Sequence, residues 1–179
     1  MTFDSNVESL YKTLKKEKVK NIVSAIKLFD NRFFEEGQYA VMFRSLSIQP
    51  SSYKNPRILL FGKDRKLRIG INHHIGEERN LEILQYRSKS KVWELREIKF
   101  NNGKVSLTKA NPSICMSCHG DKEITPSFKG KVAQVNEYTM DHLSKGRMPD
   151  ISDFRSLIKK DPIYSRLKNL NGYLNGLGL

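Results

Sequence analysis

The chain has 179 residues, of which 38% are hydrophobic, with a mean hydropathy of -0.56 and a formal net charge of +13. These values fit a soluble globular protein of one ordinary domain, or a folded layer with a smaller module appended, and exclude a disordered chain. The longest apolar run, Ile58-Leu59-Leu60-Phe61, has the length of a strand, so no membrane-spanning helix is expected.

The positive charge suits an acidic partner protein, and contact with an anionic membrane surface is compatible with it. The lysines and arginines are spread along the whole chain. No helix-turn-helix, finger or RNA-binding signature gathers them, so no nucleic-acid partner is expected.

Ser5 and Glu8 have capping-box spacing and open a long helical stretch. Val7, Leu10, Tyr11 and Leu14, then Val19, Ile22, Val23 and Ile26, recur at helical intervals, with Lys12, Lys15, Lys16, Lys18 and Lys20 on the solvated side. From Tyr39 the texture changes to short runs at 39–48, 57–61, 67–71, 81–86, 92–100 and 105–107. Turn-forming groups such as Gly62-Lys63-Asp64 and Asn101-Asn102-Gly103 separate them. An antiparallel meander is predicted. Leu81, Ile83 and Gln85 alternate with Glu82, Leu84 and Tyr86, and since neither set is cleanly polar, both faces of the sheet are expected to be covered. Trp93 and Tyr86 read as core residues, and His73 and His74 as a solvated pair in a turn.

Asn111-Pro112 closes the strand region. It is followed by Cys115-Met116-Ser117-Cys118-His119, which holds the chain's two cysteines. CxxCH is the attachment sequence of a c-type haem. On a helical turn residues i and i+3 share a face, so Cys115 and Cys118 can each add a thiol across one vinyl group on a single edge of the porphyrin. His119 is then aimed under the ring as an axial iron ligand. One haem c per chain is expected.

Beyond the motif, helical patterns run over 132–143, over 151–158 after Pro149-Asp150, and over a short last helix at 162–167, and a flexible tail is expected over 172–178. The sixth iron position has competing candidates in Met140, His142 and Met148, while Met116 lies inside the attachment loop. Lys145 and Arg147 could pair with haem propionates.

Cys118-His119-Gly120 followed later by Gly146-Arg147-Met148-Pro149 resembles the class I cytochromes c, which carry Cys-x-x-Cys-His-Gly early and a Gly-x-Met-Pro type of segment later. That resemblance implies Met148 as the distal ligand, and His119 with Met148 as the axial pair. The interval between the two is shorter than that family usually shows, and a β-rich region stands where its leading helix would be.

A wider resemblance covers nearly the whole chain. Arg44-Ser45-Leu46-Ser47-Ile48-Gln49, Asn55-Pro56-Arg57-Ile58-Leu59-Leu60-Phe61-Gly62, Leu81-Glu82-Ile83-Leu84-Gln85-Tyr86 and Asn111-Pro112-Ser113-Ile114-Cys115 look like a group of uncharacterised exported bacterial proteins with one haem-attachment motif. The resemblance implies a joint β-rich and haem-binding architecture and export. The Arg-Pro-x-Trp and Trp-Pro-Gly segments usual after that motif are missing here.

The expected fold is therefore α+β: an N-terminal helix, an antiparallel β-meander and a C-terminal helical c-type haem-binding module, divided as 1–110 and 111–179. The expected function is single-electron transfer with an acidic or membrane-associated redox partner. Alternatives are a haem-based sensor or peroxidase-like enzyme with a labile sixth ligand, and a zinc protein using Cys115 and Cys118 with two of His73, His119 and His142. A thiol-disulfide enzyme is a further option, although Ile114 stands where such a motif usually has an aromatic residue. Met1-Thr2-Phe3-Asp4-Ser5 lacks the pattern of an export signal. Bacterial haem attachment takes place outside the cytoplasm, so the expected compartment is periplasmic or otherwise extracytoplasmic, with the export signal absent from this sequence.

Overall fold

The computed structural model describes residues 6–42, 51, 56–62, 64–72, 80–119, 152–170 and 172. Two helices lead, α1 (Val7–Lys16) and α2 (Ile22–Lys27), followed by a 3-10 turn at Asn31–Phe34. The strands are β1 (Tyr39–Met42), β2 (Arg57–Phe61), β3 (Leu67–Asn72), β4 (Leu81–Arg87), β5 (Val92–Asn101) and β6 (Lys104–Leu107). After them come α3 (Ser113–His119), α4 (Ser152–Lys160) and a 3-10 turn at Tyr164–Arg166. The fold is mixed α+β. The expected helix at 132–143, the residues 43–48 of the first predicted strand and most of the expected tail lie outside the described residues.

The long helical stretch anticipated at the N-terminus is two helices. Asn6 caps α1, its side chain accepting from the Ser9 N–H at 2.7 Å. The expected cap, Ser5, lies outside the described residues. The chain leaves α1 through a Schellman turn: Lys18 adopts φ +51°, its N–H bonds the Lys15 carbonyl at 3.1 Å, and the Val19 N–H bonds the Leu14 carbonyl at 3.0 Å. Val19 and Leu14, the apolar pair that accompanies such a turn, are both buried. A reciprocal capping box between Asn21 and Ser24 then starts α2.

The six strands lie side by side in chain order, every neighbouring pair antiparallel. Register aligns Val41, Ile58, Ile71, Leu81 and Ile98 in one row across five strands, and Tyr39, Leu60, Ile69 and Ile83 in another. Both rows point to the same face and are buried. That face is covered by the apolar sides of α1 and α2, by Phe29, Phe33 and Phe34, and by Ile163, Tyr164, Leu167 and Leu170 from the far end of the chain. On the opposite face Ala40, Met42, Leu59 and Phe61 form a second buried cluster. Both faces thus carry buried apolar side chains.

Hydrogen bonds fix the C-terminal segment in place. The Arg166 guanidinium donates to the carbonyls of Ile26 and, at 2.9 Å, Phe29, at the C-terminal end of α2 and just beyond it, where carbonyls lack helical partners. It also lies 4.0 Å over the Phe34 ring. The Tyr164 hydroxyl donates to the Pro56 carbonyl at 2.8 Å, and the Tyr39 hydroxyl to the Lys168 carbonyl at 2.7 Å. Among the described residues no helix is long and apolar enough to cross a membrane.

At the edge of the covered face, Arg87 bridges Glu8 of α1 (2.5 Å) and Glu94 of β5 (2.7 Å), and Arg96 also bonds Glu94. Hydrogen bonding from Arg87, with a smaller contribution from Arg96, holds the Glu94 carboxyl below its ordinary value despite partial burial.

Two outcomes follow from these contacts. Lys18→Gly, which relieves the left-handed backbone, is expected to stabilise by about 0.5–1 kcal/mol, read as a rise in thermal midpoint. A carboxyl with a depressed folded pKa contributes stability above its unfolded value near 4.3 and loses it as pH falls through the folded value. Wild type should therefore lose stability on acidification below about pH 5, and Glu94→Gln should cost about 1–2 kcal/mol at pH 7. The variant's deficit should shrink as the pH is lowered, which urea melts at several pH values would show.

Candidate functional site

The CxxCH motif follows directly from the free edge of the sheet. β6 pairs with β5 only as far as Leu107 opposite Ile98. Beyond it, side chains complete the ladder. The Glu97 N–H donates to the Thr108 hydroxyl at 2.9 Å and the Leu95 N–H to the Asn111 side-chain oxygen at 2.9 Å, while the Thr108 and Asn111 N–H groups bond the carbonyls of Glu97 (3.0 Å) and Leu95 (2.8 Å). Asn111 does this at φ +53°, a conformation asparagine tolerates better than most residues. The Pro112 carbonyl then accepts from the N–H groups of Cys115 (2.9 Å) and Met116 (3.1 Å), opening α3. Thr108 and Asn111 thereby fix where the motif begins.

Helix α3 runs Ser113–His119 and contains all five residues of the motif. Cys115 and Cys118 are three residues apart within it, so they occupy one helical face, and His119 is its last residue. Cys115 and Met116 are half-buried, whereas Ile114 is 60% exposed. Two cysteines one helical turn apart in the chain, followed at once by a histidine, are the residue types in the spacing that covalent attachment to a porphyrin edge requires.

Met148, expected from the cytochrome c resemblance as the distal ligand, lies outside the described residues. So do the other candidates His73, His74, Met140, His142, Lys145 and Arg147. Of the expected site residues, Cys115, Cys118 and His119 are the ones within the described residues, all on the backbone of α3.

The sheet face away from α1 and α2 carries charged residues that the sequence reading did not single out. Arg57 of β2 and Glu82 of β4 form an ion pair across β3. They meet above Gly70, where a Cβ would come within 3.1 Å of the arginine Nη2 and 3.4 Å of the glutamate Oε2. Glu97 is the register partner of Glu82 and is held by Lys99 at 3.3 Å. Burial pushes the Glu82 carboxyl up; Arg57 opposes that and the Glu97 charge adds to it. The buried Arg57 Nε has no hydrogen-bond partner. The signal was present in the alternation of the strands, since Arg57, Arg68, Glu82 and Glu97 all occupy positions between core residues and share the second face.

Comparison with protein-family models, with curated proteins and with solved structures gives no match to this chain.

The anchoring of α3 can be tested at Asn111. Asn111→Gly keeps the backbone conformation and loses the acceptor for the Leu95 N–H, which should cost about 1–2 kcal/mol. Asn111→Ala adds backbone strain, for a total of about 2–3 kcal/mol. Asn111→Asp keeps both features and should melt close to wild type. Equal thermal midpoints for the glycine and alanine variants would contradict this account.

Proposed function

We propose that the chain carries one haem c, bound through thioethers at Cys115 and Cys118 with His119 as an axial iron ligand, and serves in single-electron transfer. The reading rests on one observation: CxxCH occupies a helix, α3, whose turn puts the two cysteines on one face with the histidine immediately after them. A haem held there would supply a ferric/ferrous couple. The residues that precede it supply position, since Asn111 and Thr108 tie the start of the motif to β5.

Met148 is proposed as the opposite axial ligand on the cytochrome c resemblance of Gly146-Arg147-Met148-Pro149. A soft thioether sulfur there favours ferrous iron and raises the potential relative to a second imidazole. The partner is proposed to be an acidic or membrane-associated redox protein, because a net charge of +13 steers such encounters and raises their rate. The proposed setting is extracytoplasmic, where covalent haem attachment is carried out, and the C-terminal part of the chain is proposed as the haem-binding region.

Expression in a host with c-type maturation should give a coloured protein whose haem absorbance stays with the polypeptide after acid-acetone extraction. Cys115→Ala with Cys118→Ala should abolish that retained colour. A reduced protein with Met148 in place should bind carbon monoxide poorly, and Met148→Ala should bind it readily. Loss of all colour from the extracted wild-type polypeptide would overturn the reading.

A further inference from the structure

Two arginines on the sheet face opposite the helices have no carboxylate partner among the described residues. Arg65, in the turn between β2 and β3, takes φ +57°, a backbone state that asparagine or glycine adopts at less cost. Its guanidinium lies 5.7 Å from the centre of the Phe61 ring and donates to the Gly37 carbonyl at 3.4 Å. Arg68 of β3 lies 4.7 Å over the Trp93 ring, and its Nε donates to the Arg65 carbonyl at 3.4 Å. Trp93 in turn packs against Tyr86, ring centres 5.3 Å apart. Desolvation, and then the neighbouring Arg65 charge, both lower the Arg68 pKa. Elsewhere the half-buried arginines of the sheet are answered: Arg57 by Glu82, Arg87 by Glu8 and Glu94, Arg96 by Glu94. Two neighbouring cations, each partly buried beside an aromatic ring, match a ligand that carries a pair of carboxylates.

The helix-covered face is filled, with Val7, Leu10 and Leu14 wholly buried against it. At the β6 edge Asn111 bonds the Leu95 backbone; the Leu95 side chain lies on the opposite face, where Leu95 is the register partner of Leu84, and Leu84 of Arg68. Three neighbouring-strand spacings separate Asn111 from Arg68, about 14 Å. The attachment helix begins two residues after Asn111. A porphyrin bears its vinyl groups on one edge and its two propionates on the opposite edge, and its span is comparable to that distance.

We infer that Arg65 and Arg68 are the partners of the two haem propionates, an inference that rests on the reading of Cys115, Cys118 and His119 as the attachment site. The pair neutralises the propionates and holds the propionate edge of the ring at the second face of the sheet, near Trp93 on the Arg68 side. Acidic side chains of a redox partner are the competing occupant. The same two guanidiniums would then stay open in the isolated holoprotein.

The test uses the matured holoprotein and its variants Arg65→Gln, Arg68→Gln, Arg68→Lys and, as a control for net charge alone, Lys12→Gln on the exposed side of α1. Haem should remain covalently attached in all of them. The midpoint potential should shift downward in both glutamine variants, because loss of a cation beside a propionate favours ferric iron. Arg68→Lys should recover most of the shift, and Lys12→Gln should show none. Trp93 is the only tryptophan, so its ring protons are identifiable by NMR. The reduced wild-type holoprotein should show Overhauser contacts between them and the propionate methylenes, a readout that does not depend on any variant folding. Attached haem with unchanged potentials and no Trp93 contact would overturn the inference and leave the attachment intact. Weakened partner binding at unchanged potential would assign the arginines to docking and overturn it equally. Wild-type polypeptide without covalent haem would overturn the inference together with the function it rests on.

Discussion

The row formed by Val41, Ile58, Ile71, Leu81 and Ile98 crosses five neighbouring strands, and water has to be kept from it. A meander cannot do this itself, because each strand turns straight back beside the last and the sheet stays one layer thick. The covering comes from both ends of the chain. α1 and α2 lay their apolar sides on the row, and Ile163, Tyr164, Leu167 and Leu170 complete the cover from the C-terminal side. Arg166 joins the two parts by bonding the carbonyls at and just beyond the end of α2. That guanidinium meets backbone dipoles and an aromatic face rather than a carboxylate, a geometry suited to a planar fork and poorly served by lysine.

One face is closed by helices, and the CxxCH helix follows the β6 edge while cross-strand charges lie on the other face. α3 starts where the ladder on β5 runs out, and Thr108 and Asn111 replace strand partners with side-chain ones. The second face mixes a small apolar cluster at β1 and β2 with charges that cross strands, and Gly70 leaves room for the Arg57–Glu82 pair. A buried ion pair contributes little net stability when its desolvation is counted, so its presence speaks more for specificity of arrangement than for strength. Arg57 meets a carboxylate, whereas Arg65 and Arg68 meet aromatic rings and backbone carbonyls and have no carboxylate partner among the described residues.

Much of the fold was legible because its signals are local. Short β-rich runs bounded by turn-forming groups marked the strands at 57–61, 67–71 and 81–86 to within a residue, and Asn101-Asn102-Gly103 marked the turn into β6. The break between α1 and α2 was not legible, since the left-handed position of the Schellman turn is filled by Lys18 where glycine would have announced it. The start of α1 was read from Ser5 and Glu8, whereas Asn6 with Ser9 is the observed cap, one of two plausible caps side by side. The bonds of Tyr164 to Pro56 beside β2 and of Arg166 to Phe29 just beyond α2 join residues more than a hundred positions apart, and no spacing rule reports such a contact. The candidate site divides in the same way. Cys115, Cys118 and His119 stand out in the sequence because the attachment motif is contiguous, and the structure adds that they lie on one helix. Arg65 and Arg68 do not stand out, because an arginine without a carboxylate is visible only when its neighbours in space are known.

The central claim is covalent attachment at α3, and peptide mapping of the matured protein by mass spectrometry tests it most directly. The account predicts that the peptide containing Cys115 and Cys118 carries the mass of one haem, and that this addition survives acid-acetone treatment. A matured, folded protein whose Cys115–Cys118 peptide shows unmodified thiols, a disulfide or a chelatable metal would contradict it.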